Sequence, residues 1–348
     1  MTETSALRDV PLAEIQAAAA RIAPRISRTP MLASRTAARL IEERHGVRIS
    51  SGPRADGQPR LFVKAEHLQV TGSFKPRGAV NKVAGLSEAV RRRGLIALSA
   101  GNHAQGVAYA AAGEGVPVTV VMPAGASVAK AAAAAAYGAE VILHGEHVGE
   151  AAAHLDRVRN ERDLVYVHPF NDPAIIAGQG TVGLEILADL PEVDVIVVGV
   201  GGGGLCCGIA AAARQLRPGV RVYGVEPERS NALSLALEAG HVVELEPFSI
   251  ADGLGAPYAG EWTLDLARRY VESIVLVDDA TIAAGMRFAL ERMKQLLEPA
   301  GAAALSAVLA GCIPLRPGET VCVVASGGNV DLSRLPDLLE LAEAVDWW

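Results

Sequence analysis

Four short stretches of this 348-residue chain carry the kinds of residue, at the spacing, that chemistry needs. In TGSFKPRGAV (71–80), Lys75 opens a predicted helix behind an aromatic residue, Phe74, and a Gly-Ser pair. A helix dipole disfavours a cation at that end. The field, with some burial, lowers the lysine's pKa and leaves a neutral amine able to form a Schiff base. In GVGGGGLCCG (199–208), the glycines Gly201, Gly202, Gly203 and Gly204 lie between a β-branched strand and a helix that begins near Leu205. Bare backbone lets an anion come close, and the helix start offers unpaired N–H groups, so a phosphate is the natural guest. In LSAGNHAQGVA (98–108), a strand ends in Ser99, Ala100, Gly101, Asn102 and His103, and a helix begins at once. That sets N–H groups, an amide and an imidazole at the carboxyl edge of a sheet, a place suited to an amino-acid carboxylate. The fourth stretch, VASGGNVD, ends another buried strand with Ser326 on its turn.

Other features compete with these. Gly199, Gly201 and Gly204 satisfy G-x-G-x-x-G, and Glu226 ends the next strand where a dinucleotide site places its ribose-binding acid. His144, His147 and His154, with Glu146 and Glu150, resemble a metal cluster, but nothing closes a coordination sphere, and no metal ligand set is assigned. Cys206 and Cys207 read as small buried residues rather than catalytic thiols. Only five of the 32 basic residues are lysines, at 64, 75, 82, 130 and 294, so a lysine between apolar segments invites a chemical explanation.

The elements that must position these groups alternate. A helix is predicted over 11–24 and a polar loop over 50–60, followed by a strand over 61–66 and a helix from about Ser73 to Ala84. Strands over 95–100, 116–123, 139–145 and 164–170 alternate with helices and make one compact subdomain. A second set has strands over 194–200, 221–227 and 320–326 plus SIVLVDD, with helices in GQGTVGLEIL and LCCGIAAAARQL; residues 231–262 are less regular. Strand–helix alternation with short turns means βαβ units and parallel sheets, here in two tightly joined units with a cleft between them.

Composition narrows the function. Half of the residues are hydrophobic and 20% are charged, enough for a large core. A net charge of −7 argues against nucleic-acid binding. No apolar run reaches membrane-spanning length, the N-terminus has no secretory signal, and the cysteines form no staple pattern, so a cytoplasmic protein is expected.

Taken in order, GSFKPRGA, SAGNHAQG, GQGT, GGGGL and SGGN resemble the threonine/serine dehydratase family of fold-type II pyridoxal-phosphate enzymes, from the TP at 29–30 to the GGN at 327–329. The resemblance implies an α/β fold of two open parallel-sheet domains with flanking helices, like the tryptophan synthase β subunit, with pyridoxal 5'-phosphate in the interdomain cleft. It implies a large cofactor-binding domain from 1–93 and 171–348, a small substrate-gating domain from 94–170, and no C-terminal regulatory domain. Lys75 would hold the cofactor and act as the α-proton base. Phe74 would pack on the pyridine ring, Asn102 would bond its ring hydroxyl, and Ser326 would meet its nitrogen. The N–H groups from Gly201 to Leu205 would cradle the phosphate, and Glu298, in LLEPAGA, would lie near the cofactor. Ser99, Ala100, Gly101, Asn102 and His103 would line the substrate carboxylate site.

The implied reaction is β-elimination from L-threonine or L-serine, giving a 2-oxo acid and ammonia, with the cofactor phosphate as proton donor to the leaving hydroxyl. Related serine racemases carry a hydroxyl residue where Ala100 stands, so dehydration should outrun racemisation. Their divalent-metal motif is half matched by Glu226 and Ala232, with Ser234 where an acid is expected. The expected partners are a small-molecule amino-acid substrate and further copies of the chain, as a dimer or tetramer, without nucleic acid or membrane. The rival readings are an NAD-dependent oxidoreductase built on Gly199–Gly204 and Glu226, and a non-catalytic amino-acid-binding protein.

Overall fold

The β-branched runs that read as fully buried strands form the centres of two sheets. A computed structural model describes residues 7–53, 56–126 and 128–347. The first six residues, on which the reading of the N-terminus rests, lie outside the described residues, as do positions 54 and 55 of the predicted polar loop. The strands are β1 (Met31–Ser34), β2 (Leu61–Lys64), β3 (Leu95–Leu98), β4 (Val118–Met122), β5 (Glu140–Leu143), β6 (Val165–Tyr166), β7 (Val195–Gly199), β8 (Arg221–Pro227), β9 (Ser273–Val277) and β10 (Val321–Val324). A six-stranded sheet has the order β1-β2-β10-β7-β8-β9, and a four-stranded sheet has the order β5-β4-β3-β6.

The α/β fold class and its parallel sheets follow the alternation read from the sequence. Every neighbouring pair is parallel except the edge strand β1, which runs antiparallel to β2. Neither β1 nor the helix Arg35–His45 that follows it was expected from the sequence. Ser34 starts that helix by accepting the N–H of Ala37, and Gly46 ends it at φ 68°. The predicted strand over 164–170 shrinks to two residues. Val167 still donates to the carbonyl of Ile96 at 2.9 Å, but Pro169 has no N–H to extend the ladder. Residues 231–262 are more ordered than expected, with a helix at Ala232–Ala239 and a single 3-10 turn at Asp252–Leu254.

Apolar side chains fill both faces of the larger sheet. One layer is rich in Ala, Ile and Leu from the helices Asp279–Phe288 and Pro299–Leu309. The other comes mainly from Pro173–Asp189 and Gly204–Leu216. The alanine-rich composition has a packing use here, because small side chains let the helices Pro173–Asp189 and Gly204–Leu216 approach closely. A Cβ on Gly208 would lie 2.5 Å from the carbonyl oxygen of Ile176. Among the described residues no helix is long and apolar enough to cross a membrane.

Candidate active site

Parallel strands end on the same side, so the turns after β3, β7 and β10 converge. Together with the start of the helix Lys75–Ala84 they enclose a cavity of about 420 Å³. Phe74, Lys75, Ser99, Ala100, Gly101, Asn102, His103, Gly201 to Gly204, Leu205, Glu298 and Ser326 all line it. Residues singled out in four separate motifs therefore share one wall-to-wall site.

Lys75 is the first residue of its helix, with Pro76 behind it. Its Nζ donates to the carbonyl of Pro169 at 3.1 Å and sits 5.2 Å from the centre of the Phe74 ring. Burial pushes its pKa down to about 8, while the Glu298 carboxylate pulls it part of the way back up. The neutral amine, the form that attacks a carbonyl, is therefore reached much nearer to neutral pH than for an ordinary lysine.

Glu298 precedes the helix Pro299–Leu309 and is only 6% exposed. Burial raises its pKa to about 7 against the hydrogen bond from Asn102, with Asp252 adding to the rise and Lys130 and Lys75 opposing it. The amide of Asn102 donates to Glu298, and its oxygen accepts from Asn329 Nδ2 at 2.7 Å. The same Nδ2 donates to the carbonyl of Thr71 at 2.7 Å. Glu298, Asn102 and Asn329 thus form one chain of polar contacts across the cavity floor. Ser326, 4% exposed, has only a long contact of 3.4 Å to the carbonyl of Ala300, which leaves its hydroxyl able to turn to a ligand.

The glycine loop has the form of an anion cradle. The N–H groups of Gly201, Gly202 and Gly203 have no acceptor among the described residues, and the helix Gly204–Leu216 begins directly behind them. Gly203 holds φ at 91°, which a side chain resists, and a Cβ on Gly202 would strike the Phe170 ring at 2.3 Å. A phosphate fits this donor set. A buried amine, a neutral hydroxyl and an amide fit the carbonyl, ring nitrogen and ring hydroxyl of a pyridoxal, so the residues present suit pyridoxal phosphate.

On the opposite wall, Gly101 donates to Ser99 Oγ at 3.1 Å and the helix Asn102–Glu114 begins. His103 is buried, and its Nε2–H donates to the carbonyl of Val167 at 2.9 Å. Burial, followed by the proximity of Lys75, lowers its pKa to about 3, so the ring is neutral. What this residue leaves open to an anionic ligand is its main-chain N–H at the helix start.

Several lining groups were not foreseen. Tyr166, Phe170 and Tyr258 line the cavity edge, and His168, behind them, joins them in one aromatic cluster. His168 Nδ1 accepts the N–H groups of Phe170 and Asn171 at 3.2 and 2.8 Å, so its Nε2–H donates to the Tyr258 hydroxyl oxygen at 3.2 Å. Lys130 and Asp252 pair across the mouth at 2.7 Å. The segments LVYVHPF and ADGLGAPYAG read only as a strand and a loop because their rings meet one another only through the tertiary fold.

Competing motifs resolve differently. Glu226 is fully buried and does not line the cavity; its carboxylate accepts the N–H groups of Leu233 and Ser234 at 2.8 and 3.0 Å and the Ser234 hydroxyl at 2.7 Å. An acid committed to capping a helix cannot hold a ribose. Cys206, Cys207 and Cys322 are buried, with thiol pKa values pushed up by burial, so they are inert. Of the remaining lysines, Lys64 is 0% exposed and paired with Glu185 at 2.6 Å, and Lys82 pairs with Asp172 at 2.6 Å.

Residues 24–327 match the family model described as "Pyridoxal-phosphate dependent enzyme". The L-threonine ammonia-lyase of Thermotoga maritima is 45% identical over 281 residues, 80% of this chain and 69% of that protein. The catabolic L-threonine dehydratase of Escherichia coli is 40% identical over 287 residues, 82% of this chain and 87% of that protein. Among solved structures, the serine racemase of maize superposes with a TM-score of 0.86 at 33% identity, covering 96% of this chain and 98% of the other.

Proposed function

Because the chain belongs to the pyridoxal-phosphate-dependent enzymes, we propose that it is an ammonia-lyase that dehydrates and deaminates L-threonine and L-serine, with Lys75 as the residue that carries the cofactor. The observation that carries this reading is a desolvated amine, with a pKa near 8 and no ion-pair partner among the described residues, facing an anion cradle in one cavity. The names of the relatives support threonine as substrate.

Bound pyridoxal phosphate supplies an electron sink that makes loss of an α-proton feasible. In this reading the backbone N–H groups from Gly201 to Leu205 hold its phosphate, Ser326 faces its ring nitrogen, Phe74 packs on its ring, and Asn102, steadied by Glu298 and Asn329, bonds its ring hydroxyl. A neutral serine does not keep the ring nitrogen protonated, which tempers the sink and suits elimination. Ser99, Gly101 and the N–H groups of Asn102 and His103 hold the substrate carboxylate and so orient its Cα–H. Lys75, in its neutral form, would take that proton. The β-hydroxyl departs as water with one proton gained for the one removed from Cα, and water returns during hydrolysis of the released enamine, so threonine yields 2-oxobutanoate plus ammonia and serine yields pyruvate plus ammonia. Ala100 has no proton to deliver to the opposite face of Cα, which favours elimination over racemisation.

Residues 1–93 with 171–348 act as the large cofactor-holding unit and 94–170 as the small unit that gates the substrate; the two sheets and the paired mouth residues Lys130 and Asp252 support that division. The enzyme works in the cytoplasm as a homo-oligomer in this reading. Incubation with pyridoxal phosphate and then L-threonine or L-serine tests the assignment. Release of 2-oxobutanoate or pyruvate with equimolar ammonia is expected. Cofactor binding without 2-oxo acid from either substrate would overturn it.

A further inference from the structure

The helix that presents Lys75 to the cavity turns a second cation in another direction. Arg77 is two residues on, about 200° around the helix, and is 1% exposed. Its Nε and Nη2 grip both oxygens of Glu66 at 2.7 and 2.8 Å. Nη1 and Nη2 reach the two oxygens of Glu185 at 2.8 and 3.0 Å, and Nη1 also donates to Thr181 Oγ1 at 3.1 Å. Lys64 Nζ completes the cluster, donating to Glu185 at 2.6 Å and to the carbonyl of Thr29 at 2.7 Å. Two cations meet two carboxylates, and Lys64, Glu66 and Arg77 are all withdrawn from water.

Such a cluster is a poor way to gain stability. Removing four charges from water offsets most of their attraction, and a well-packed apolar set does as well. What a forked guanidinium on two carboxylates provides is direction. Glu66 and Arg77 close the loop between them, and Lys75 lies just inside its far end. Within that loop Phe74 donates to the carbonyl of Ser326 at 3.1 Å, and below it Ala325 donates to the carbonyl of Lys64 at 3.0 Å. His67, at the loop's near end, donates to the carbonyl of Ala325 at 2.8 Å, so the loop is registered against Ala325 at one end and Ser326 at the other. Thr181 and Glu185 belong to the helix Pro173–Asp189, and the chain entering that helix supplies Pro169, whose carbonyl accepts from Lys75. One cluster thus holds both the lysine's own helix and the segment bearing its acceptor.

We propose that Arg77 is the positioning residue for Lys75: with Glu66, Glu185 and Lys64 it forms a buried clasp that fixes where the Lys75 amine stands relative to Ser326 and Pro169. This rests on the reading of Lys75 as the cofactor-bearing residue. The clasp never touches substrate or cofactor; it acts through the lysine.

Arg77→Lys keeps the charge and removes the fork. In protein freed of cofactor, the pH at which Lys75 half-reacts with an acylating reagent, followed by peptide mass spectrometry, should move up from near 8 as the loosened amine regains water. In the loaded protein the cofactor's absorption maximum should shift, and kcat should fall by about 10²-fold, the size of effect that a misplacement of about 1 Å produces, with KM within about threefold. A purely structural role would lower the melting temperature and leave the acylation midpoint, the spectrum and the kcat per loaded site unchanged, and that result would overturn the proposal. If Arg77→Lys does not fold, Glu185→Gln is measured in the same three ways, with the same shifts expected and the same absence of shifts overturning the proposal. Wild-type protein that never takes the cofactor onto Lys75 would sink the functional reading itself, whereas normal loading of both wild type and variant with identical readouts sinks only the clasp.

Discussion

On one face of the helix Lys75–Ala84, Arg77 lies among carboxylates; on the other, Lys75 lies against a carbonyl, an aromatic ring and a cavity. Both cations are largely withdrawn from water, yet their pKa values move in opposite directions. Burial works against the Arg77 charge, but Glu66 and Glu185 more than compensate and push its pKa up. Burial works against Lys75 too, and no carboxylate stands within ion-pairing distance of it among the described residues, so its pKa falls to about 8. Two residues apart, withdrawal from water yields a fixed structural ion in one case and a reactive amine in the other, and what separates them is a paired anion.

Breaking the compensated side has the largest expected effect. Glu66→Ala leaves the Arg77 charge buried and half-paired, which should cost about 3–5 kcal/mol in urea unfolding. A loss below about 1 kcal/mol would mean that water or relaxation replaces the carboxylate and that the two faces are less different than described.

On the uncompensated side the sign reverses. Lys75 has a folded-state pKa near 8 against an ordinary value of 10.5, so between those values the unfolded chain binds more protons and stability rises with pH. Below pH 8 the full penalty is present. In the absence of cofactor, Lys75→Met should therefore be more stable than wild type at pH 7, by up to about 3 kcal/mol. The gain should fade as the pH approaches 10.5. Urea denaturation at pH 7 and 10 checks both magnitude and trend, and a variant less stable at pH 7 would contradict the assignment.

Glu298→Gln sharpens the comparison by removing the one carboxylate that supports the Lys75 charge. The pH of half-acylation of Lys75 should drop below about 8; an upward move would mean that Glu298 acts on the lysine in some other way. The smallest effect belongs to the mouth. Lys130 and Asp252 are both partly exposed, 30% and 48%, and such pairs contribute about 0–1 kcal/mol. Lys130→Met should leave the melting temperature nearly unchanged, and a large loss would mean that the mouth pair bears structural weight of its own.

The two faces were not equally legible in the sequence. Lys75, the glycine loop, Asn102 and Ser326 could be singled out because each sits in a local pattern, a strand end meeting a helix start, whose electrostatics can be argued from neighbours in the chain. Arg77 stands two residues from Lys75 in the same motif, yet nothing local marks it. Its meaning depends on Glu185, 108 residues away, and no local pattern carries that contact. Lys64 is the converse case, since its position among apolar residues invited a chemical role that its pairing with Glu185 accounts for structurally. The sheets were legible where β-branched runs alternate with helices. The antiparallel edge strand β1 was not, because MLAS has neither the length nor the composition to announce a strand.

The central claim is that the uncompensated lysine is the one that carries the cofactor. Protein loaded with pyridoxal phosphate, reduced with borohydride and digested, should carry the reduced adduct on the peptide containing Lys75 and on none of those containing Lys64, Lys82, Lys130 or Lys294. An adduct on any of the other four, or a loaded protein with no covalent label at all, would contradict the account.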